Sequence, residues 1–207
     1  MPQSTNPWDK IFRQKGAYFT EPHEDMPKIV ELLELGGARN VLDFGSGSGR
    51  HVLYLARRGF SVYGFDNSPE GIALTETTLA EAGLRADLRL LGMDEKLPYD
   101  DAFFDGVIAI QVIHHSKLLI IEAVVAEITR VLKQDGLLFV TVPSLQNQAE
   151  HFEQIEPGTF VPLDGPEKGL PHHYFTPDEL RVLFGDYNVT DVHLDSLNHY
   201  CLSAFKR

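Results

Sequence analysis

Between residues 41 and 50 the chain reads Val41-Leu42-Asp43-Phe44-Gly45-Ser46-Gly47-Ser48-Gly49-Arg50. An apolar run that enters three alternating glycines and leaves into a helical pattern is a buried strand turning into a helix. The bare glycines let a ligand approach the backbone amides closely. A tight turn of this kind also serves packing alone, so its meaning depends on its neighbours. The dinucleotide fingerprint asks for G-x-G-x-x-G, whereas here the glycines fall at 45, 47 and 49 and Arg50 stands where the third glycine belongs. Asp43, two residues before the first glycine, puts a negative charge beside the turn. That suits a ligand bearing an ammonium or sulfonium better than a pyrophosphate.

The rest of the chain alternates short apolar runs with helical patterns, the mark of strands buried on both faces and joined by crossover helices. Seven strands are expected: 40–44, 61–66, 86–91, 104–110, 137–142, 189–195 and 201–206. A helix carrying Leu118, Ile121, Val125, Ile128 and Leu132 at spacings of three and four should stop before Gly136. Ser68-Pro69 opens another, which ends near Gly83, and Thr176-Pro177-Asp178-Glu179 opens a third with a capping box. Only Ser196–Tyr200 separates the last two strands, so they should form an antiparallel hairpin in an otherwise parallel sheet. The class is α/β with a mixed sheet. Residues 144–173, rich in proline and glycine and without sustained periodicity, read as one long ordered loop.

A length of 207 residues predicts one domain, 1–207. Within it, 1–28 forms an N-terminal lid or strap, and 144–175 an insertion over the substrate. The net charge of -12 disfavours nucleic acid, whose phosphates are held largely by Lys and Arg. The segment from Asp66 to Asp105 alone holds ten carboxylates against three basic residues. A lone Cys201, no secretory leader and no apolar run near the roughly 18 residues of a membrane span predict a soluble cytoplasmic protein.

Asp66, at the end of the second strand, can accept two hydrogen bonds from the vicinal hydroxyls of a ribose, or can serve as a cap beside Ser68. Gly92-Met93-Asp94 follows the third strand, and with a ribose at Asp66 it would lie beside an adenine, whose amino group Asp94 could receive. D-x-G-x-G-x-G at 43–49, the acid at 66, Gly92-Met93-Asp94 with Leu97-Pro98, Phe104-Asp105, and Arg130-Val131-Leu132-Lys133 before Asp135-Gly136-Leu137 together carry a resemblance. Over about residues 38–142 the chain resembles the class I S-adenosyl-L-methionine-dependent methyltransferases of the type 11 kind. It is loosely similar to their small-molecule and tellurite-resistance-type members.

The resemblance implies a Rossmann-like seven-stranded mixed sheet of order 3-2-1-4-5-7-6, strand 7 antiparallel, with helices on both faces. It implies S-adenosyl-L-methionine as cofactor and S-adenosyl-L-homocysteine as product. Asp43, Gly45, Ser46, Gly47 and Gly49 would hold the methionine portion, Asp66 with Asn67 the ribose, and Met93 with Asp94 the adenine. Gln111 and Val112 would border the transferred methyl. Methyl transfer is an in-line displacement at an activated carbon, so a base is needed only for an alcohol or a protonated amine. His114 and His115 are the candidate catalytic residues. Trp8, Phe19, His172, His173 and Tyr174 are candidate substrate contacts, Trp8 and Phe19 belonging to an aromatic N-terminal stretch with Phe12 and Tyr18. A metal is not expected, because adjacent histidines on a helix or strand diverge and no His-x-x-x-His ladder occurs. No Asn-Pro-Pro-Tyr or Asp-Pro-Pro-Tyr follows the fourth strand, which leaves a small-molecule acceptor. A nicotinamide-dependent reductase and a non-catalytic cofactor-binding protein are the alternatives, and the oligomeric state is open.

Overall fold

The computed structural model describes residues 6–147 and 151–207. Two compact units divide the chain, Met1–Glu95 and Lys96–Arg207. A seven-stranded sheet has the order 87–90, 61–66, 40–44, 104–110, 132–143, 199–206 and 187–194, and a three-stranded one the order 152–156, 159–162 and 172–173.

In the first unit, α1 (Pro7–Lys15) and α2 (Met26–Leu35) precede β1 (Asn40–Phe44), α3 (Arg50–Ala56), β2 (Ser61–Asp66), α4 (Pro69–Glu81) and β3 (Asp87–Leu90). The three strands are parallel, with Asp43 level with Gly64 and Tyr63 level with Asp87. Parallel neighbours require a crossover, and α3 and α4 supply it. Val41, Leu42 and Phe44 on β1 are fully buried, as are Ile29 and Leu33 on α2, as expected of strands covered on both faces. Helix α4 starts where Ser68-Pro69 predicts, the Ser68 hydroxyl accepting from the Gly71 amide at 3.0 Å. Helix α1 starts the same way, its Asn6 side chain accepting from the Trp8 amide with Pro7 at the first position.

In the second unit, β4 (Phe104–Ile110), α5 (Leu118–Val131) and β5 (Leu132–Pro143) form a parallel crossover unit. After them come β6 (Phe152–Glu156), β7 (Thr159–Pro162), β8 (His172–His173), α6 (Pro177–Leu183), β9 (Tyr187–Leu194) and β10 (His199–Lys206). The terminal hairpin is antiparallel as expected, and β10 lies between β5 and β9. Two expectations need correction. Helix α5 stops at Val131 rather than just before Gly136, because Leu132 already has extended dihedrals and pairs with Phe104. The apolar stripe continues through that junction, so spacing alone carried the helix too far. The segment 144–173 is not one loop: it folds an antiparallel sheet of short strands, in which Phe152 pairs with Pro162 and Phe160 with His172. Alternation in strands of two to five residues is too brief to read against the surrounding Pro and Gly. Residues 148–150 of the expected insertion, and 1–5 of the expected strap, lie outside the described residues. Among those described, no helix is long and apolar enough to cross a membrane.

The predicted capping box is complete. The Thr176 hydroxyl accepts from the Glu179 amide, and the Glu179 carboxylate accepts from the Thr176 amide at 2.7 Å. Thr176→Ala should therefore cost about 1 kcal/mol and lower Tm by about 2–4 °C, measured by thermal unfolding; an unchanged Tm would show that α6 is held by Leu180 packing alone.

Candidate active site

At the end of β1 the glycine turn is shaped by its own backbone. Gly45, Gly47 and Gly49 have φ of 72°, 56° and 83°, the left-handed region that glycine enters freely. The Ser46 amide donates to the Phe65 carbonyl at 2.8 Å, the Gly47 amide to Asp66 Oδ2 at 2.8 Å, and the Gly49 amide to the Ser46 carbonyl at 2.9 Å. These three amides are therefore not the open donors that the sequence suggests; two are bonded to β2 and one within the turn, and a phosphate would find them already bonded. Gly49 is also dictated by packing, since a Cβ there would come within 2.4 Å of the Thr75 side chain.

Asp43 is 1% exposed, and its Oδ2 is buried without a hydrogen-bond partner. Burial pushes its carboxyl up to about 7; Arg50 pulls it down, Asp66 pushes it further up, and a backbone bond from Val52 lowers it. An orphaned carboxylate oxygen of this kind fits a cationic donor such as an ammonium group, which would return it to the ionised form. Asp66 stands at the tip of β2, as predicted. Its Oδ1 accepts from the Ser68 amide at 2.9 Å while Oδ2 holds Gly47, so it does the capping work and also ties the turn to α4. Each oxygen retains a lone pair for a ribose hydroxyl. Burial raises the Asp66 carboxyl, against the bonds from Ser68, Gly47 and Asn67. Ser46 is pinned by its hydroxyl to the Phe65 carbonyl at 3.3 Å, and Asn67 receives the Asn6 side-chain amide at 2.6 Å. Met93 is half-buried and Asp94 exposed, in a turn after β3.

The N-terminal aromatics separate. Phe12 is buried, its ring 3.4 Å from where a Gly47 Cβ would be and 3.2 Å from a Gly71 one. Trp8 is half-buried, whereas Tyr18 and Phe19 are exposed and meet edge to face. Asp9 was missed by the sequence reading. It is 1% exposed and accepts from the Ser68 hydroxyl at 2.9 Å, the Glu70 amide at 3.0 Å and Arg13 at 2.7 Å. Helix α1 is thus strapped to the positive end of α4. Asn6-Pro7 was the available signal, a cap and first-turn pair like Ser68-Pro69. His51, also missed, is a buried neutral acceptor for the His23 amide at 3.1 Å, its ring held well below its ordinary value by burial, Arg50 and His23.

In the second unit, Gln111 leaves β4 with φ of 56° and is held by Thr141, whose carbonyl and hydroxyl each accept from the Gln111 amide at 3.1 Å. Val112 follows, and its carbonyl accepts from the His115 amide to close a turn. That turn brings together what a helix or strand would separate: the rings of His114 and His115 are 3.9 Å apart, and His172 lies 5.6 and 4.7 Å from them. The expectation that the adjacent histidines diverge is corrected on this geometry. The His173 amide donates to the His114 carbonyl, so β8 is fastened to the turn. Burial, with the neighbouring imidazoles, drives the His114 ring well below its ordinary value and the His115 ring to about 3. His173 points elsewhere, fully buried with Nδ1 2.8 Å from the Thr159 hydroxyl and its ring edge-on to Phe175. Tyr174 packs on Phe160, and burial with Glu167 pushes its phenol up to about 12.

The methyltransferase-domain family matches residues 42–140. An uncharacterized methyltransferase of Mycobacterium bovis is 31% identical over 91% of this chain and 76% of its own length. The chain belongs to the class I S-adenosyl-L-methionine-dependent methyltransferases. It is an enzyme of that family, with S-adenosyl-L-methionine as methyl donor, and the nicotinamide alternative is set aside. A ubiquinone biosynthesis O-methyltransferase of Xylella fastidiosa is 31% identical over 65% of this chain and 53% of its own. A SAM-dependent methyltransferase from Methanosarcina mazei matches with a TM-score of 0.72 and 25% identity, covering 81% of this chain and 92% of that one.

A carboxyl raised in the folded state makes the fold bind more protons than the unfolded chain. The Asp43 contribution to stability is therefore present at low pH and is lost as pH rises from about 4 through about 7. Asp43→Asn should raise Tm of the ligand-free methyltransferase at pH 8 and leave it nearly unchanged at pH 5, while weakening binding of S-adenosyl-L-homocysteine. Scanning calorimetry at both pH values reads this; equal shifts would remove Asp43 from the titration.

Proposed function

We propose that this methyltransferase transfers a methyl group to a small-molecule acceptor, with the donor's methionine portion at Asp43 and its ribose at Asp66. The observation that carries the donor side is the orphaned Asp43 Oδ2 beside a turn whose Ser46, Gly47 and Gly49 amides are already bonded: the turn offers shape and one negative charge, which suits an amino-acid moiety. Gly45, Ser46, Gly47 and Gly49 frame that moiety, Asn67 stays with Asp66 at the ribose, and Met93 and Asp94 take the adenine. When bound, the donor supplies an electrophilic methyl carbon on a sulfonium. The protein's task is then to bind, align and exclude water.

We assign the acceptor to the chamber built by Gln111, Val112, His114, His115 and His172. His173 and Tyr174 support its wall by packing. Trp8 and Phe19 stay with the cofactor side, Phe19 lying under the Arg50 guanidinium at 5.2 Å. An imidazole held near 3 is a poor proton store at neutral pH. His114 and His115 therefore contribute lone pairs to the acceptor's surroundings rather than acting as free general bases. A small acceptor is supported by the -12 charge against polyanions and by the likeness to the ubiquinone biosynthesis O-methyltransferase of Xylella fastidiosa.

Titration calorimetry with S-adenosyl-L-homocysteine should give one site per chain, and Asp66→Ala should weaken it by roughly 1.5–3 kcal/mol, the range for hydrogen bonds to a charged group. A labelled methyl donor incubated with a pool of phenols, alcohols and amines, read by mass spectrometry, should yield a labelled small molecule. Donor binding with label appearing only on added protein or nucleic acid would overturn the acceptor class.

A further inference from the structure

We propose that His114, His115 and His172, with Glu167 as a fourth donor, form a binding site for a divalent first-row transition ion, zinc being the closest geometric match. The clustering itself is the first observation: one ring nitrogen from each histidine lies within 4.8 Å of the others. Small rotations of the rings bring such atoms onto zinc–nitrogen bonds of roughly 2.0–2.1 Å.

The hydrogen bonds around the cluster are those of ligating imidazoles. Nδ1 of His172 is 2.8 Å from the Leu170 carbonyl, an atom that only accepts, so Nδ1 is engaged there and Nε2 is the nitrogen that faces the cluster. That Nε2 faces Glu167 Oε2 at 3.3 Å. Two donors each roughly 2.0–2.1 Å from one ion, at about the tetrahedral angle, stand this far apart. The His115 ring is in turn bonded to the Gln111 carbonyl, so two of the three histidines have a backbone carbonyl behind them, the usual outer partner of a metal-bound imidazole. His114 is 4% exposed, and its Nδ1 is buried without a hydrogen-bond partner. A proton shared between His172 and Glu167 would leave that nitrogen orphaned, whereas an ion engages the whole set. Three imidazoles and one carboxylate select zinc, cobalt or nickel over the oxygen-seeking magnesium and calcium.

What the ion does rests on the acceptor reading above; whether it binds does not. An acceptor hydroxyl entering its coordination sphere would release its proton to solvent more readily, since a bound cation lowers the pKa of an oxygen ligand. That would make the acceptor an alcohol or phenol.

The full chain, stripped with a chelator and dialysed, is titrated with Co²⁺ and followed by visible absorption. One equivalent should produce the intense bands of tetrahedral cobalt, and Zn²⁺ should displace it. His172→Ala and Glu167→Gln should each weaken cobalt binding by at least about tenfold, with circular dichroism unchanged. If His172→Ala fails to fold, Glu167→Gln decides alone, because its side chain lies in a half-exposed turn. Absence of the bands, or bands untouched by Glu167→Gln, overturns the site. S-adenosyl-L-homocysteine titrated in the presence of chelator keeps the readings apart. Binding there without cobalt bands removes the metal and leaves the methyltransferase reading, and cobalt bands without cofactor binding do the reverse.

Discussion

A single carboxylate at the tip of β2 organises the first unit. Asp66 accepts from the Gly47 amide with one oxygen and from the Ser68 amide with the other, and so fixes the turn after β1 and the start of α4 in one stroke. Hydrogen bonds to a charged acceptor are the stronger kind, and both donors here are backbone groups that would otherwise be left at chain reversals. The same turn is bounded on its other side by Phe12, and α1, which carries that ring, is itself held at α4 by Asp9. Two carboxylates therefore converge on the N-terminus of α4, one directly through the strand order and one through a helix that a reader of the apolar pattern would pass over.

That convergence explains how the site can contain an unsatisfied atom. Asp43 sits one strand away in a dense apolar layer, with Phe44 and Phe65 packed edge to face beside it. The resulting cost is carried by the remainder of the fold, as is usual where local stability is given up for binding. In the second unit the comparable place is the turn at 111–115, where Gln111 adopts a left-handed backbone and Thr141 holds it there. In both units the short turn that follows a strand is thus braced by a side chain of the next strand, Asp66 in the first and Thr141 in the second.

Most of the sheet was legible because buried parallel strands are written as unbroken apolar runs; β1, β2 and β4 were bounded to the residue. The caps at Ser68 and Thr176 were legible because a short polar side chain followed by proline has few other uses. What escaped depended on contacts between distant positions. Asp9 is unremarkable until Ser68 and Glu70 are known to be beside it. The pairing of His172 with the 114–115 turn needs β8, a strand of two residues, to be fastened to the His114 carbonyl. The reach of α5 failed for the opposite reason: the apolar spacing runs on unaltered while the backbone changes from helix to strand at Leu132.

The placement of β10 has a consequence for how the chain comes together. The strands of the first unit are all made by residue 90, each paired with a neighbour close in sequence. In the second unit, β9 joins its sheet only through β10, which spans His199–Lys206. During synthesis the first unit can therefore condense while the second is still emerging. The exposed edge of β5 must wait for the last strand of the unit before it is covered, and through that interval it is open to mispairing.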